Sequence, residues 1–466
     1  MTFTLTRNPA RTLAHLLAEA GCPLDLRCGG NGTCGRCRVT LLAGQCTVNN
    51  RLVDAPQTVL ACQARAVSDT VSVDVPDSSR PHGGGNILAA WASDDLPDNE
   101  NPVIAVDIGT TTLVAVKIQH GTVTARASAY NPQHALGDNV ITRIQHAATG
   151  RLATLNAMVI DGIATLLDEL GLDGVVRIGV AGNTVMSCLF HGINPESIGV
   201  MPFTPPTRVF PDRRDLFGGI LVQTVPAISG YVGGDLTAGM AIANLQPGDM
   251  LIDIGTNCEI IYVTDSGAIC AAAAAGPAFE GAGLACGCRA VDGAIDHVFA
   301  DGTFSTIGTR APVGICGSGY VDFLAVQHAA GRINTVGRYD PPATAFTLTP
   351  DVIVTESDIE QLLKAKAAVW SGIQTLEVQG GAKAKNIRLA GGFARHLDLH
   401  NACAIQMLPC RNYEILGNTS LAGAARLACD PAFMDTLLEC IDQPREIPLN
   451  TIASFEDTYI DGLLLP

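Results

Sequence analysis

Cys28, Cys34 and Cys37 lie in C-G-G-N-G-T-C-G-R-C, and Cys62 follows in V-L-A-C-Q. Three thiolates spaced C-x5-C-x2-C, with glycines between them, suit the ligation of one iron–sulfur cluster. Such a loop must wrap inorganic sulfide closely, and Gly29, Gly30, Gly32 and Gly35 supply left-handed backbone and exposed amide donors for it. A fourth thiolate from a later segment completes an all-cysteine set. Cys62, with 24 residues between it and Cys37, is the expected fourth ligand, and Cys22 and Cys46 compete with it. Zinc is the competing occupant, but structural zinc usually shows paired C-x2–4-C knuckles, and here a single C-x2-C overlaps a C-x5-C.

A second chemistry is written twice, in V-I-A-V-D-I-G-T-T-T-L-V-A-V-K-I (103–118) and M-L-I-D-I-G-T-N-C-E-I-I-Y-V (250–263). Each reads as a buried strand ending in Asp, a tight Ile-Gly-Thr turn and a second strand. An Asp at a strand end can hold Mg²⁺ through water, because that ion keeps part of its hydration shell. Gly109 lets backbone approach a phosphate, and the hydroxyls and amides of Thr110, Thr111 and Thr112 can donate to its oxygens. Gly255, Thr256 and Asn257 offer the same chemistry from the second copy. Asp107 and Asp253 stand 146 residues apart, a separation that predicts two similar lobes clamping a polyphosphate. The bland alternative is a pair of ordinary tight turns with a capping Asp.

The elements needed to position these groups are legible. Residues 2–6 alternate as a strand, 11–20 carry helical periodicity up to Gly21, and 38–42 and 70–75 read as strands flanking Cys62. Strand, helix, cysteine loop and strands within 1–75 fit a small ferredoxin, short at its front, for which a β-grasp-like [2Fe–2S] fold is expected. Pro, Gly and acidic residues over 76–102 read as a flexible linker able to let that domain swing. Helical patterns such as 154–170 and 356–379 alternate with strands beyond it, so the class is α/β. Lobe I is expected over 103–249 and lobe II over 250–466.

Composition narrows the function classes. Hydrophobic residues are 47% and charged residues 16% of 466, which describes a core-rich globular chain. A net charge of −16 argues against nucleic-acid binding and favours neutral or basic protein partners. No run of 18 consecutive apolar residues occurs, so no membrane span is expected, and M-T-F-T-L-T-R-N-P lacks the apolar region of a signal peptide. With 16 cysteines spaced for metal more than for disulfides, a reducing, cytoplasmic setting is expected. Cys286, Cys288 and Cys316 lie in Gly-rich segments and read as packing residues more than as a second metal site, and His396 and His400 as an ordinary helix surface. Trp91 and Trp370 read as packing residues.

The cysteine spacing resembles that of plant-type [2Fe–2S] ferredoxins, with the first gap one residue longer. The two hairpins resemble the phosphate-1 and phosphate-2 motifs of the ATPase superfamily that holds actin, the heat-shock chaperone ATPases and the sugar kinases. G-G-D-L-T-A-G-M-A-I-A-N-L (233–245) is similar to its first connecting helix, I-R-L-A-G-G-F-A-R (387–395) to its adenosine motif, and L-G-N-T-S-L-A-G-A-A-R (416–426) to its closing helix. The resemblance implies that Asp235 orients the attacking water, that Asp107 and Asp253 organise Mg²⁺ and water, and that Gly391 and Gly392 line the nucleoside. A helix N-cap is the plainer role for Asp235, and the two are compatible.

A ferredoxin joined to this ATPase fold resembles the reductive activators of corrinoid proteins, as do G-P-A-F-E-G-A-G (276–283) and G-I-C-G-S-G-Y (314–320). The resemblance implies ATP-dependent, one-electron reduction of Co(II) to Co(I) in the corrinoid protein of a methyltransferase system. It implies a [2Fe–2S] cluster, ATP and Mg²⁺ as cofactors, an electron donor protein or reductase as a second partner, and a homodimer as one assembly. The loop holding Glu280 is expected to face the partner or to pack between lobes. An activator of the acyl-CoA dehydratase type, a nucleotide-binding redox sensor, and a small-molecule kinase with a regulatory ferredoxin are the competing readings. Cys34→Ser is expected to abolish electron transfer while leaving nucleotide binding nearly intact; continued reduction of a Co(II) partner by that variant would remove the cluster assignment.

Overall fold

The structure is a computed structural model, and it describes residues 1–22, 24, 32, 37–76, 79, 96–137 and 139–466. Cys28, Cys34 and most of the 76–102 stretch lie outside the described residues. The chain divides into two compact units, Met1–Gly83 with Pro132–Arg143, and Gly84–Asn131 with Ile144–Pro466.

In the first unit a four-stranded sheet runs in the order Thr2–Thr6, Thr70–Asp74, Arg38–Ala43, Gln57–Leu60. The helix Leu13–Glu19 buries Leu13, Ala14, Leu16 and Leu17 in its core, and Thr12 and His15 close a capping box at its start. A second small sheet, Arg51–Asp54, Gln45–Val48 and Ala64–Ala66, was not visible in the sequence. Its strands are three or four residues long, too short for alternation to show. Ser79 is buried and donates its hydroxyl to the Arg38 carbonyl at 2.6 Å.

The second unit repeats one topology. A five-stranded sheet has the order Thr122–Tyr130, Thr112–Gln119, Val103–Ile108, Arg177–Gly182, Leu221–Thr224. A six-stranded sheet has Gly267–Ala273, Cys258–Thr264, Asp249–Ile254, Asn386–Ala390, Asn412–Gly417, with Pro444–Glu446 added beyond Gly267–Ala273. In both, a three-strand antiparallel meander is extended by two parallel strands on the far side of its first strand. The first strand of each meander is therefore central and reads as a continuous apolar run, as a strand covered on both faces must. The helices Leu152–Leu170 and Glu356–Gly380 pack on the two meanders.

Between the sheets, the helices Gly234–Ala243 and Thr419–Cys429 cross at close range. A Cβ on Gly423 would fall 2.4 Å from the Ala238 methyl, so this crossing requires glycine. The end of the expected linker is pinned: buried Asn99 donates to the Ile118 carbonyl at 3.2 Å and accepts from the Gly121 N–H at 3.0 Å.

One run, Val140–Leu170, is long and apolar enough by composition to cross a membrane. Its backbone leaves helical geometry at Thr149 and Gly150, and its longer helix buries Leu155, Val159, Ile163 and Leu167 within the fold. That pattern is the one of a helix packed on a sheet.

The last helix, Ala453–Gly462, is tied to Glu356–Gly380 by a buried cation. Lys366 donates its Nζ to the Gly462 and Leu464 carbonyls, each at 2.7 Å, and burial pushes its pKa down to about 8. Lys366→Met keeps the volume but strands two carbonyls, and is expected to cost about 2–3 kcal/mol. Chemical denaturation measures it; an unchanged midpoint would show that the lysine does not hold this turn.

Candidate functional site

In the first unit, register decides which cysteines meet. Arg38 pairs with Leu60 across the two strands, so Cys37, just before one strand, and Cys62, just after the other, emerge at the same end. The Ala61 N–H donates to the Cys37 carbonyl at 2.9 Å, and both cysteines are buried. The Gln63 amide donates toward Cys62 Sγ at 3.7 Å, a contact suited to a thiolate acceptor. Gly32, inside the cysteine loop, has φ of 75° and lies so close to Gln63 that a Cβ would fall 2.9 Å from Cγ. Cys46, by contrast, sits on Gln45–Val48 and is fully buried in the core, where burial pushes its thiol up. Cys22 is buried in the same core cluster as Cys37, Cys46 and Cys62.

In the second unit the duplicated topology delivers Asp107 and Asp253 to equivalent places, each the next-to-last residue of its central strand. Asp107 accepts from Asn418 Nδ2 at 2.9 Å and from Ser420 Oγ at 2.7 Å. Burial pushes its carboxyl up, against those two hydrogen bonds. Among the described residues no such neutral hydrogen bonds offset the surroundings of Asp253: burial first, then the charges of Asp235 and Asp107, push it up to about 7. Gly391, at φ 87°, approaches so closely that a Cβ there would lie 2.6 Å from Asp253 Oδ1. Gly392 follows at the end of Asn386–Ala390.

Asp235 stands in the first turn of Gly234–Ala243, where Gly233 is the N-cap. Its Oδ1 accepts from the Leu236 N–H at 2.8 Å, so it keeps a helix-start contact without being the cap. Burial raises it to about 6, the Leu236 N–H holds it down, and the charge of Asp107 adds to the rise.

Each hairpin turn is closed by one backbone bond, Gly109 N–H to Thr112 O at 3.0 Å and Gly255 N–H to Asn257 O at 2.8 Å. Asn131 donates to the Gly109 carbonyl at 2.9 Å, and Asn183 donates to Thr110 Oγ1 at 3.0 Å while capping Thr184–Phe190. Thr111 donates to Glu280 Oε2 at 3.2 Å, and Thr256 donates to Glu280 Oε1. The structure thus places Glu280 between the two turns.

Several of these groups were not read from the sequence. Glu259 pairs directly with Asp253 across the second hairpin, and burial, then the charges of Asp235 and Asp253, push its pKa well up. Strand pairing about the Ile-Gly-Thr turn was the available signal, but the equivalent partner of Asp107 is Val114, so the repeat itself does not announce it. Asn183 and Ser420 come from distant segments and left no local signal. Arg289 stacks over the Tyr130 ring at 4.8 Å with its Nε buried and without a hydrogen-bond partner. Tyr130 pairs with Thr112, so this guanidinium borders the first turn.

The arrangement gathers hydroxyl donors, glycine backbone and several half-buried carboxylates of raised pKa. It can hold a metal–polyphosphate. The comparisons with known proteins point the same way. A family model of the 2Fe-2S iron–sulfur cluster binding domain matches residues 2–67, one of the RACo middle region matches 103–247, and one of the C-terminal ASKHA domain of RACo matches 248–466. The chain belongs to the RACo family.

Within reach of this family, the chain is 27% identical to the corrinoid activation enzyme RamQ of Eubacterium limosum, covering 85% of this chain and 86% of that one. It is 28% identical to the [Co(II) methylated amine-specific corrinoid protein] reductase of Methanosarcina barkeri, over 77% of this chain and 76% of that one. A solved structure titled reductive activator for corrinoid, iron–sulfur protein matches with TM-score 0.73 and 26% identity, covering 100% of this chain and 98% of that one. The fold is a [2Fe–2S] domain followed by an actin-like ASKHA ATPase fold.

The carboxylates make a testable link between pH and stability. A carboxyl raised from 3.8 to about 7 binds more protons in the native than in the unfolded state between about pH 4 and 7. Its stabilising protonation is complete below about pH 4 and is lost as pH rises through about 7. Asp253→Asn is therefore expected to raise the melting temperature of the nucleotide-free protein near pH 7 by ~2 °C or more, with the gain vanishing near pH 4. Hydrolysis should be lost in the same variant. Thermal denaturation across that range decides, and a variant melting lower than the parent at neutral pH would refute the linkage.

Proposed function

We propose that this chain is an ATP-dependent reductase that returns a corrinoid protein from Co(II) to Co(I), one electron at a time. The observation that carries this reading is a cysteine-lined [2Fe–2S] domain on the same chain as a duplicated phosphate-binding ATPase fold, in a chain whose relatives are named for corrinoid activation. Cys28, Cys34, Cys37 and Cys62 hold the cluster in this reading, and when bound it supplies one-electron transfer. Asp107 and Asp253 hold Mg²⁺ through water, the favoured mode for that ion. Thr110, Thr111, Thr112, Thr256 and Asn257 donate to phosphate oxygens, with Gly109 and Gly255 allowing close approach. Gly391 and Gly392 pass beside the nucleoside.

Asp235 holds the hydrolytic water. Its raised pKa, about 6, leaves it ionised at neutral pH yet close enough to neutrality to accept a proton as water attacks. Burial, then the charges of Asp235 and Asp253, push Glu259 well above the ordinary carboxylate range, which favours its neutral form. An electron donor protein or reductase completes the cycle.

Energetics explain why hydrolysis accompanies a single electron. Plant-type clusters sit near roughly −400 mV. A cobalt couple ~200 mV lower makes transfer unfavourable by about 4.6 kcal/mol, more than a thousandfold. Nucleotide can offset this only by favouring one conformation or complex over another through differential affinity. A motor of this kind releases free phosphate and leaves no phosphorylated metabolite.

The test is anaerobic mixing of reduced, cluster-loaded protein with a Co(II) corrinoid protein, following cobalt absorbance with and without Mg·ATP. Co(I) is expected only with ATP, with phosphate release stimulated by the corrinoid partner. Asp235→Asn should lower the rate of release at least a hundredfold while leaving the cluster spectrum intact. Equal Co(I) formation without nucleotide would refute the coupling.

A further inference from the structure

Glu280 is the side chain on which the two phosphate turns meet. Its Oε2 accepts the Thr111 hydroxyl at 3.2 Å and its Oε1 accepts the Thr256 hydroxyl, so one carboxylate spans a donor from each hairpin. Those hydroxyls belong to the turns assigned above to phosphate oxygens. A carboxylate and a phosphate compete for the same donors, and their like charges repel at contact distance.

The surroundings of Glu280 connect it to the other end of the site. It closes the turn Pro277–Glu280, which is bracketed by Gly276 and Gly281, each at φ 74°. Its neighbour Phe279 is buried and stacks on Phe393, with ring centroids 5.3 Å apart and planes 18° from parallel. Phe393 follows Gly391 and Gly392 directly. The turn therefore touches the phosphate-binding hairpins through one residue and the nucleoside segment through the residue before it. Behind it, Gly281 lies so close to Cys288 that a Cβ would fall 2.3 Å from the Cys288 carbonyl oxygen. The turn is therefore packed directly against the segment that carries Arg289.

We propose that Glu280 is a latch that nucleotide displaces: its carboxylate stands in for phosphate oxygens between Thr111 and Thr256, and the entering triphosphate expels it and frees the turn Pro277–Glu280. This rests on the ATP reading above and adds to it how occupancy is sensed. The glycines on both sides allow the turn to swing without distorting the strand before it. Freed from the hairpins, the 276–283 segment takes a new position only when phosphate is present, which is the differential contact that a nucleotide-driven change requires.

The test compares full-length, cluster-loaded parent and Glu280→Gln for binding of a non-hydrolysable Mg·ATP analogue and of adenosine. Removing the competing charge should tighten the analogue on the order of tenfold, the scale of a hydrogen bond to a charged group, and leave adenosine unchanged. Hydrogen exchange over 276–283 should rise in the parent when the analogue binds and be raised already in Glu280→Gln without it. Equal analogue affinity in parent and variant overturns the latch. Weaker binding by the variant also overturns it, because Glu280 would then be a ligand of the bound nucleotide or its metal. If Glu280→Gln loses adenosine binding, Glu280→Asp replaces it: the shorter side chain cannot span both hydroxyls, so the analogue should again bind more tightly than to the parent, and equal or weaker binding refutes the proposal. A parent that binds adenosine but not the analogue overturns the ATP reading itself, whereas normal parent binding with no gain in the variants overturns only the latch.

Discussion

Half-buried carboxylates with raised pKa values are the constraint around which the larger unit is organised. The charge of Asp107 raises Asp235 and Asp253, the charges of Asp235 and Asp253 raise Glu259, and burial raises the pKa of all four. Carrying these charges at close quarters and only partly in contact with solvent calls for hydrogen bonds, retained protons or a bound cation. The protein supplies the first at Asp107, through Asn418 and Ser420, and favours the second most strongly at Glu259. At Asp253, burial and the neighbouring charges push the carboxyl up to about 7.

The duplicated sheets bring these groups together and also set them apart. Both hairpins end their first strand in Asp and turn on Ile-Gly-Thr, yet only the first Asp is tied to the closing helix, and only the second has an acid across from it. One half of the repeat is thus held by neutral hydrogen bonds, and the other carries the excess acid. Glu280 reaches across the two halves and takes a hydroxyl from each. Two similar half-sites made unequal in this way are suited to a site that changes with occupancy more than to a rigid pocket.

In the smaller unit the organising device is a strand register. Two neighbouring antiparallel strands release Cys37 and Cys62 at one end, and the Ala61 N–H fixes that end against Cys37. Cys22 and Cys46 are buried in the same core as Cys37 and Cys62, but Cys46 lies within the strand Gln45–Val48 and not at the end where Cys37 and Cys62 emerge. The sequence favoured Cys62 because a later segment was expected to supply the fourth thiolate, and the strand register brings that segment to the end where Cys37 lies.

The sequence alone determined what is local. The Asp-Ile-Gly-Thr hairpins, the C-x5-C-x2-C spacing, the helices near 154–170 and 356–379 and the α/β class were readable, because periodicity and turn chemistry act over a few residues. The short strands 45–48, 51–54 and 64–66 were not, since a run of four residues carries no period. Residues 96–102 read as linker from their Pro and acidic content, although Asn99 pins them to the first hairpin. Only the tertiary structure decided that Glu259 faces Asp253, that Asn418 and Ser420 satisfy Asp107, and that Glu280 joins Thr111 to Thr256. Those contacts span up to 313 residues and depend on which helix and strand ends converge. That convergence is settled by packing and electrostatics across the whole fold, and no local stretch of sequence encodes it.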